Sequence, residues 1–477
     1  MRKTKIVATL GPASSTPEMI ERLILAGMDV ARMNFSHGAP EEHRERVRLV
    51  REVSAKLGRS VAVLQDLAGP KIRTGLVGNP GHSGSVELVN GARFVITTEE
   101  LPGDVERVST TYKQLPRDLS PGDRILIDDG LIELRVENIE GENVVTQVVS
   151  GGTLFSSKGI NLPGAKISAP ALTDKDKRDV LLGLELDVDF VALSFVRKRE
   201  DIRELRSLLQ QHGREDLHII AKIERPEAVD NLIEILGVAD GVMVARGDLG
   251  VELAPETVPT LQKEIIRESN RRGRPVITAT QMLESMVSHP VPTRAEASDV
   301  ANAIFDGTDA LMLSSETATG RYPIEAVKHM ARIAEHTEKH MGTSPTLRRQ
   351  SDYPPLDGSP VARAIAGAAR RAAEELHAKY IVAFTESGAT VRLVSHFRPE
   401  SHILGFTPSE RVYRRLSLRW GVVPMLLDHF ETAETMLEVA LKYLRKKGII
   451  DTGDIVVTVC GHTTLPGATN MMKVLKI

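Results

Sequence analysis

The chain of 477 residues is too long for one hydrophobic core, so several domains are expected. Its formal charge of -3, with 61 Lys and Arg against 64 Asp and Glu, leaves no basic excess and excludes a general nucleic-acid binder. A single cysteine, Cys460, excludes an intrachain disulfide framework. There is neither a signal-peptide run nor an apolar stretch of ~20 residues, so the expectation is a cytoplasmic protein with no membrane partner.

In chain order, the first pattern is a short apolar run followed by an amphipathic segment. The runs are KIVATLGP (5–12), DVARMNFSHG (29–38) and VAVLQDLAGP (61–70), then FVALSFVRK (190–198), IIAKIE (219–224), GVMVARGDLG (241–250), VITATQM (276–282) and ALMLSSE (310–316). Near-continuous Val, Ile, Leu and Ala suit parallel strands buried on both faces. The segments between them read as helices: Thr16 caps the first, Pro17 opens it and Gly27 ends it, Pro40 to Leu57 stops at Gly58, Pro226 to Leu236 stops at Gly237, and Thr293 to Phe305 stops before Gly307. The alternation predicts an α/β (β/α)8 barrel. A doubly wound open sheet is the alternative, weakened by the lack of a Gly-rich dinucleotide turn after the first strand.

Residues 70–168 break this pattern. SVELV, ARFVITT, DRILID and NVVTQVV alternate with Gly, Asn, Asp and Pro turns, which predicts an inserted antiparallel β-barrel domain over the barrel mouth, placed to act as a lid. The barrel then takes 1–69 and 169–340. A polar, Pro-rich linker, HMGTSPTLRRQSDYPPLDGSP, leads into an open α/β unit that ends the chain, 341–477.

Chemistry in such barrels sits at the carboxyl ends of the strands. Those ends carry Arg32, Asn34 and Ser36; Asp66; Ser194; Lys222 and Glu224; Arg246 and Asp248; Thr280; and Ser314 and Glu316. Residues two apart on a strand share a face, so Arg32/Asn34/Ser36, Lys222/Glu224, Arg246/Asp248 and Ser314/Glu316 are each expected to project together. Glu224 and Asp248 on neighbouring strands suit Mg²⁺, with Lys222 as a cation for a moving phosphoryl group or an enolate oxygen. The glycines of RGDLGVE (246–252) open a helical turn whose free N–H groups suit a carboxylate or phosphate.

The strings ARMNFSHG, GPKIRTG, KGINLPGA, IIAKIE, MVARGDLGVE, TATQMLESM and MLSSETATGRYP closely resemble the pyruvate kinase family. The resemblance implies transfer of phosphate from phosphoenolpyruvate to ADP, giving pyruvate and ATP in the last step of glycolysis. It puts Arg32 and Arg73 on the transferring phosphate, and Lys222 on that group and on the enolate. Glu224 and Asp248 would hold Mg²⁺ (or Mn²⁺), and the Gly247 and Asp248 amides with Thr280 would receive the substrate carboxylate. Thr280 and Ser314 would lie on the route that protonates the enolate carbon. The nucleotide falls to Asn34, His37, Arg73, Lys158 and Ser194. A homotetramer is implied as well.

Many family members need K⁺, held at the equivalents of Asn34, Ser36, Asp66 and the Leu67 carbonyl, and carry a glutamate where this chain has Lys71. The ammonium of Lys71 predicts an enzyme that does not require K⁺. In the last unit, FTESGAT (384–390) resembles the family's sugar-phosphate loop, with Thr385, Ser387, Gly388 and Thr390 as effector contacts. Glu386 and Ala389 depart from that loop, and the tail CGHTTLPGATNMMKV lacks the Trp and Arg of fructose-1,6-bisphosphate-activated members. AMP or a sugar monophosphate is therefore the expected phosphorylated effector. With Ile477 as the last residue of the sequence, the expectation is a chain without the extra phosphohistidine-like domain of some relatives. Two rivals remain: a metal-dependent lyase or aldolase on a pyruvate enolate, where a Schiff base at Lys222 would be trapped by borohydride, and a degenerate scaffold with a broken catalytic set.

Overall fold

Eight apolar runs pair in parallel and close on one another in chain order. They are β1 (Lys5–Leu10), β2 (Val30–Asn34), β3 (Ala62–Asp66), β4 (Phe190–Leu193), β5 (His218–Ile223), β6 (Gly241–Ala245), β7 (Val276–Ala279) and β8 (Ala310–Leu313). The ring closes where Lys5 pairs with Ala310 and Ile6 with Leu311. The structure, a computed structural model, describes residues 1–78, 84–165, 167–341, 359–428, 432–461 and 469–477. Val7, Leu64, Phe190, Ile220, Met243 and Ile277 fill the barrel, while the alternate positions pack outward under the helices. Burial on both faces is why these strands carry no polar alternation.

The helices start and stop for the local reasons the sequence carries. Thr16 accepts the Met19 amide as a cap and Gly27 exits at φ +125°, a conformation that suits glycine. Thr293 and Glu296 form a reciprocal capping box at the start of Arg294–Phe305. One expected helix is two. Pro226–Asp230 and Leu232–Leu236 break at Asn231, whose Nδ2 turns away to donate to the Arg197 carbonyl at 2.9 Å.

Between β3 and β4 the chain forms a six-stranded sheet and a two-stranded ribbon, packed around Phe94, Ile96, Ile125, Leu134 and Val144. The large sheet is antiparallel except at Arg93–Thr97 and Arg107–Ser109, which pair in parallel. It is tied down beside the barrel mouth. The Asn161 Nδ2 donates to Glu252 Oε1 at 3.2 Å, Arg225 Nη1 donates to the same oxygen at 3.0 Å, and Arg197 Nη2 donates to the Ala169 carbonyl at 2.9 Å.

The last unit is a five-stranded sheet: Val422–Leu426, His402–Thr407, Tyr380–Phe384 and Ile455–Gly461 run in parallel, and Thr469–Lys476 pairs antiparallel at the edge. The sequence reading found three of these strands and missed Val422–Leu426 and Thr469–Lys476. Most of the Pro-rich linker and the middle of the expected effector tail lie outside the described residues.

This unit abuts the amino-terminal base of the barrel. Asp189, just before β4, accepts from the Val63 amide at 2.7 Å, from Arg51 Nη2 at 2.9 Å and from Arg414 Nε at 2.7 Å. Arg398 pairs with Asp309 at 3.1 Å and stacks over Trp420 at 4.8 Å. Lys5 Nζ donates to the Val422 carbonyl at 2.6 Å. Among the described residues no helix is long and apolar enough to cross a membrane.

Candidate active site

The carboxyl ends of β2, β3, β4 and β5 converge on one buried network. Arg32, in the middle of β2, donates from Nε to Asp66 Oδ2 at 2.7 Å and from Nη1 to Thr9 Oγ1 at 2.9 Å. Lys222, near the end of β5, reaches Glu224 Oε1 at 2.7 Å and Asp66 Oδ1 at 3.4 Å, and donates to Ser194 Oγ at 2.7 Å. The Ser194 hydroxyl in turn donates to the Leu67 carbonyl at 2.7 Å. The side chains of Asp66, Glu224 and Lys222 are 1%, 2% and 12% exposed. Charges so placed are costly unless paired or bound to ions.

Electrostatics sort these groups. Burial works against the charged forms of Asp66 and Lys222, yet Lys222 and Arg32 hold the Asp66 carboxyl below its usual range. Asp66, Glu224 and Asp248 likewise hold the Lys222 ammonium above its usual range, so it stays protonated. Glu224 is pushed up, by burial first and also by the charge of Asp248, against the pull of Lys222. Two carboxylates that repel one another beside a single ammonium form a donor set that a divalent cation would relieve. Among the described residues, no three carboxylate, His or Cys side chains cluster as a complete metal cage. Mg²⁺ keeps waters and takes substrate phosphates beside one or two carboxylates, so Glu224 and Asp248 are the residues here that could hold it.

Two expected pairs do not project together. β6 ends at Ala245 and the chain turns at once into the helix Arg246–Glu252, so the period-two rule stops applying there. Arg246 points away from the network to Asp299 at 2.7 Å and to the Thr280 carbonyl at 2.8 Å, while Asp248 remains exposed on the rim. β8 likewise ends at Leu313. Glu316 folds back to accept from the Ser314 and Leu283 amides at 2.7 and 3.1 Å, buried as a loop anchor rather than beside the Ser314 side chain. The Ser314 hydroxyl stays partly open.

Thr280 closes the far side. Its Oγ1 accepts from the Gly247 amide at 2.8 Å, and both Thr280 and Gln281 sit at positive φ, +66° and +53°. A β-branched residue in that region is strained and needs its surroundings to hold it. Phe195 shares the feature at φ +56°, and its amide donates to Glu224 Oε2 at 2.8 Å. Gly69 admits that ring: an added Cβ would meet Phe195 Cδ2 at 2.6 Å.

Above the network lies a cavity of about 290 Å³ walled by Lys71, Arg73, Asp128, Lys158, Asp248 and Glu252. Arg73 Nη1 donates to the Ser157 carbonyl at 2.8 Å, and Lys158 pairs with Asp128 at 2.9 Å. Lys71 is pushed down by burial and by the cations Lys222 and Arg73. His37, exposed on the rim, is pushed down by partial burial and by Lys71, Arg73 and Arg32. Several of the groups expected around K⁺ already have protein partners. Asp66 holds Arg32 and Lys222, the Leu67 carbonyl accepts Ser194, and Asn34 Oδ1 accepts the Ser36 amide at 3.1 Å. The expected effector loop is elsewhere, on the last sheet. There Thr385 Oγ1 accepts the Gly388 amide at 2.9 Å, and the Thr390 hydroxyl is buried against Thr469 Oγ1 at 2.7 Å.

Sequence reasoning missed Thr9, Asp128 and Glu252. Thr9 lies near the end of β1, a strand end left out of the list. Asp128 opens a DDG turn where Asp128 and Asp129 take φ +55° and +56°. Nothing local marks Glu252, whose partners Asn161 and Arg225 come from two other segments.

Comparison with known proteins gives one result along the whole chain. The family profile described as "Pyruvate kinase, barrel domain" matches residues 1–327, and that described as "Pyruvate kinase, alpha/beta domain" matches residues 363–475. A pyruvate kinase of Clostridium perfringens is 44% identical over 479 residues, covering 100% of both chains. One of Geobacillus stearothermophilus is 47% identical over 476 residues, covering 99% of this chain and 80% of its own. The crystal structure of a pyruvate kinase from Cryptosporidium parvum superposes with a TM-score of 0.92 at 37% identity, covering 100% of this chain and 96% of the other.

Proposed function

The chain belongs to the pyruvate kinase family and is a phosphotransferase, and from that premise we propose how its own residues carry the reaction. The phosphoryl group of phosphoenolpyruvate passes to a β-phosphate oxygen of ADP. The bond between phosphorus and the enol oxygen breaks with its electron pair left on that oxygen, and the enolate then takes a proton at its methylene carbon to give pyruvate. The observation that carries this reading is Lys222: a protonated amine within 2.7 Å of Glu224 and hydrogen-bonded to Ser194, on a rim shared with Arg32.

Lys222 and Arg32 offer fixed positive charge to the departing phosphoryl group, and Lys222 to the enolate oxygen it leaves. Arg73, from the cavity wall, meets the same phosphate. Gly247, Asp248 and Thr280 receive the substrate carboxylate and set its angle. Thr280 and Ser314 hold the water that delivers the proton. Lys158, Asn34 and His37 face the nucleotide side, while the buried Ser194 acts through Lys222, whose ammonium donates to it. Glu224 and Asp248 would hold Mg²⁺, which supplies Lewis-acid charge between the two substrates when bound.

In this reading Lys71 replaces the charge that K⁺ brings to other members, a view supported by the protein partners already on Asp66, Asn34 and the Leu67 carbonyl. The enzyme acts in the cytoplasm as a homotetramer, in the last step of glycolysis. AMP or a sugar monophosphate activates it at the loop of Thr385, Ser387, Gly388 and Thr390. A lactate dehydrogenase-coupled assay in tetramethylammonium buffer tests the core of this. Phosphoenolpyruvate plus ADP should turn over at nearly full rate without K⁺. A large rate rise on adding K⁺ removes the role given to Lys71, and absence of turnover with both cations present removes the reaction.

A further inference from the structure

Arg246 follows β6 directly, and its side chain, 12% exposed, turns toward the end of β7. There its guanidinium is engaged on every nitrogen. Nη1 pairs with Asp299 at 2.7 Å and lies 3.4 Å from Gln262 Oε1. Nε donates to the Ala279 carbonyl at 3.2 Å and Nη2 to the Thr280 carbonyl at 2.8 Å, with the Gln281 carbonyl at 3.5 Å. A planar fork holds a carboxylate and two successive carbonyls at once, which the point charge of an ammonium cannot do.

The backbone it holds is the strained stretch at the carboxylate side of the rim. Thr280 at φ +66° and Gln281 at φ +53° occupy a region that persists only where the surroundings over-determine it. A peptide unit is planar, so the φ of Thr280 fixes how the unit ending in the Ala279 carbonyl is turned, and the φ of Gln281 does the same for the Thr280 carbonyl. Those are the two carbonyls on the guanidinium. A return of either residue to negative φ would swing one of them off Arg246. The tie runs the other way as well. The amide of Gly247, next after Arg246, donates to Thr280 Oγ1 at 2.8 Å, and that hydroxyl donates to the Ala279 carbonyl at 2.6 Å.

We infer that Arg246 is a positioning residue for the reaction: by holding the Ala279 and Thr280 carbonyls it locks residues 280 and 281 in their left-handed conformation and so aims the Thr280 hydroxyl, beside the Gly247 amide, at the substrate carboxylate. This role rests on the placement of that carboxylate proposed above. Arg246 touches no reacting atom itself. A lysine in its place keeps a positive charge opposite Asp299 but surrenders the paired hold on the carbonyls, and Thr280 is then free to relax. The harm falls on the phosphoenolpyruvate side of the rim, because Asn34, His37 and Lys158 on the nucleotide side have no bond to this stretch among the described residues.

Steady-state kinetics on the full chain tests this with Arg246→Lys, Thr280→Val and the double variant. Arg246→Lys should raise KM for phosphoenolpyruvate by ~10-fold or more and lower kcat, since a small misplacement of a positioned group suffices. KM for ADP should stay within about twofold. In the Thr280→Val background the same change should add little, because the two residues act as one unit. Should Arg246→Lys fail to fold, read by circular dichroism, Asp299→Asn takes its place: the guanidinium loses its carboxylate, and a smaller rise confined to phosphoenolpyruvate is expected. Equal rises in both KM values, full additivity in the double variant, or a lowered melting temperature with unchanged kinetics overturns the role and leaves Arg246 a structural tie between β6 and β7. A normal KM for phosphoenolpyruvate in Thr280→Val is a different failure: it removes Thr280 from the proposed carboxylate site, and the role of Arg246 with it.

Discussion

The two ends of the barrel treat charge in opposite ways. At the base, Asp189 and Asp309 are buried and saturated: Asp189 takes Val63, Arg51 and Arg414, and Asp309 takes Arg398. At the rim, Lys222, Glu224 and Asp66 are as deeply buried, yet Asp66 Oδ1 finds no hydrogen-bond partner, and Glu224 is raised by burial and by Asp248. One end uses ion pairs to fix two units together. The other leaves its buried charges imperfectly matched, an imbalance that a bound ion would relieve. At the base each buried charge is answered within the protein, and at the rim it is not.

Breaking the rim should have the largest effect. Lys222→Met is expected to lower kcat by ~10³–10⁵, the range over which single cations act in phosphoryl transfer, while nucleotide binding measured by calorimetry persists; near-normal turnover would falsify the role given to Lys222. At the base, Asp189→Ala strands Arg414 and Arg51 and should cost about 3–5 kcal/mol. Denaturant unfolding should report that loss, with kcat at 25 °C scarcely changed. A collapse of kcat without loss of stability would erase the contrast between the two ends. Glu224→Gln should weaken apparent Mg²⁺ affinity by ~10-fold or more, read as the midpoint of a metal titration of the rate after chelation.

The smallest effect concerns pH. His218 titrates near 3 in the folded chain because burial, first of all, disfavours its charged form. The unfolded chain therefore binds its proton first as pH falls. The stability tied to neutral His218 is full above about 6.5 and is lost progressively toward 3. His218→Gln should flatten part of that decline in melting temperature, and identical pH profiles for the two chains would show that another group is responsible.

Much of this was legible in the sequence, for a physical reason. Strands buried on both faces must be continuously apolar, so all eight barrel strands announce themselves, and Lys222 and Glu224 stand out as the first charges after such a run. What stayed hidden depended on where a strand stops. Arg246/Asp248 and Ser314/Glu316 look like strand pairs, but their strands end at Ala245 and Leu313, and a helical turn sends the partners apart. The ties across the base were equally invisible, because Arg414 finds Asp189 across 225 residues of chain. Val422–Leu426 escaped notice because Pro424 interrupts its apolar run, a residue that argues against a strand except at a sheet edge, where this one lies.

The closure of the barrel, with Lys5 set against Ala310, has a consequence for how the chain is made. The first strand leaves the ribosome with one of its two neighbours still unsynthesised, and at ~5–20 residues per second the eighth follows on the order of 15–60 s later. Through that interval β1 carries an unpaired edge of six residues, of the kind that nascent chains must shield from one another. The inserted sheet between β3 and β4 has no such wait, since its strands all pair within one contiguous stretch, and it can be complete while the ring around it is still open.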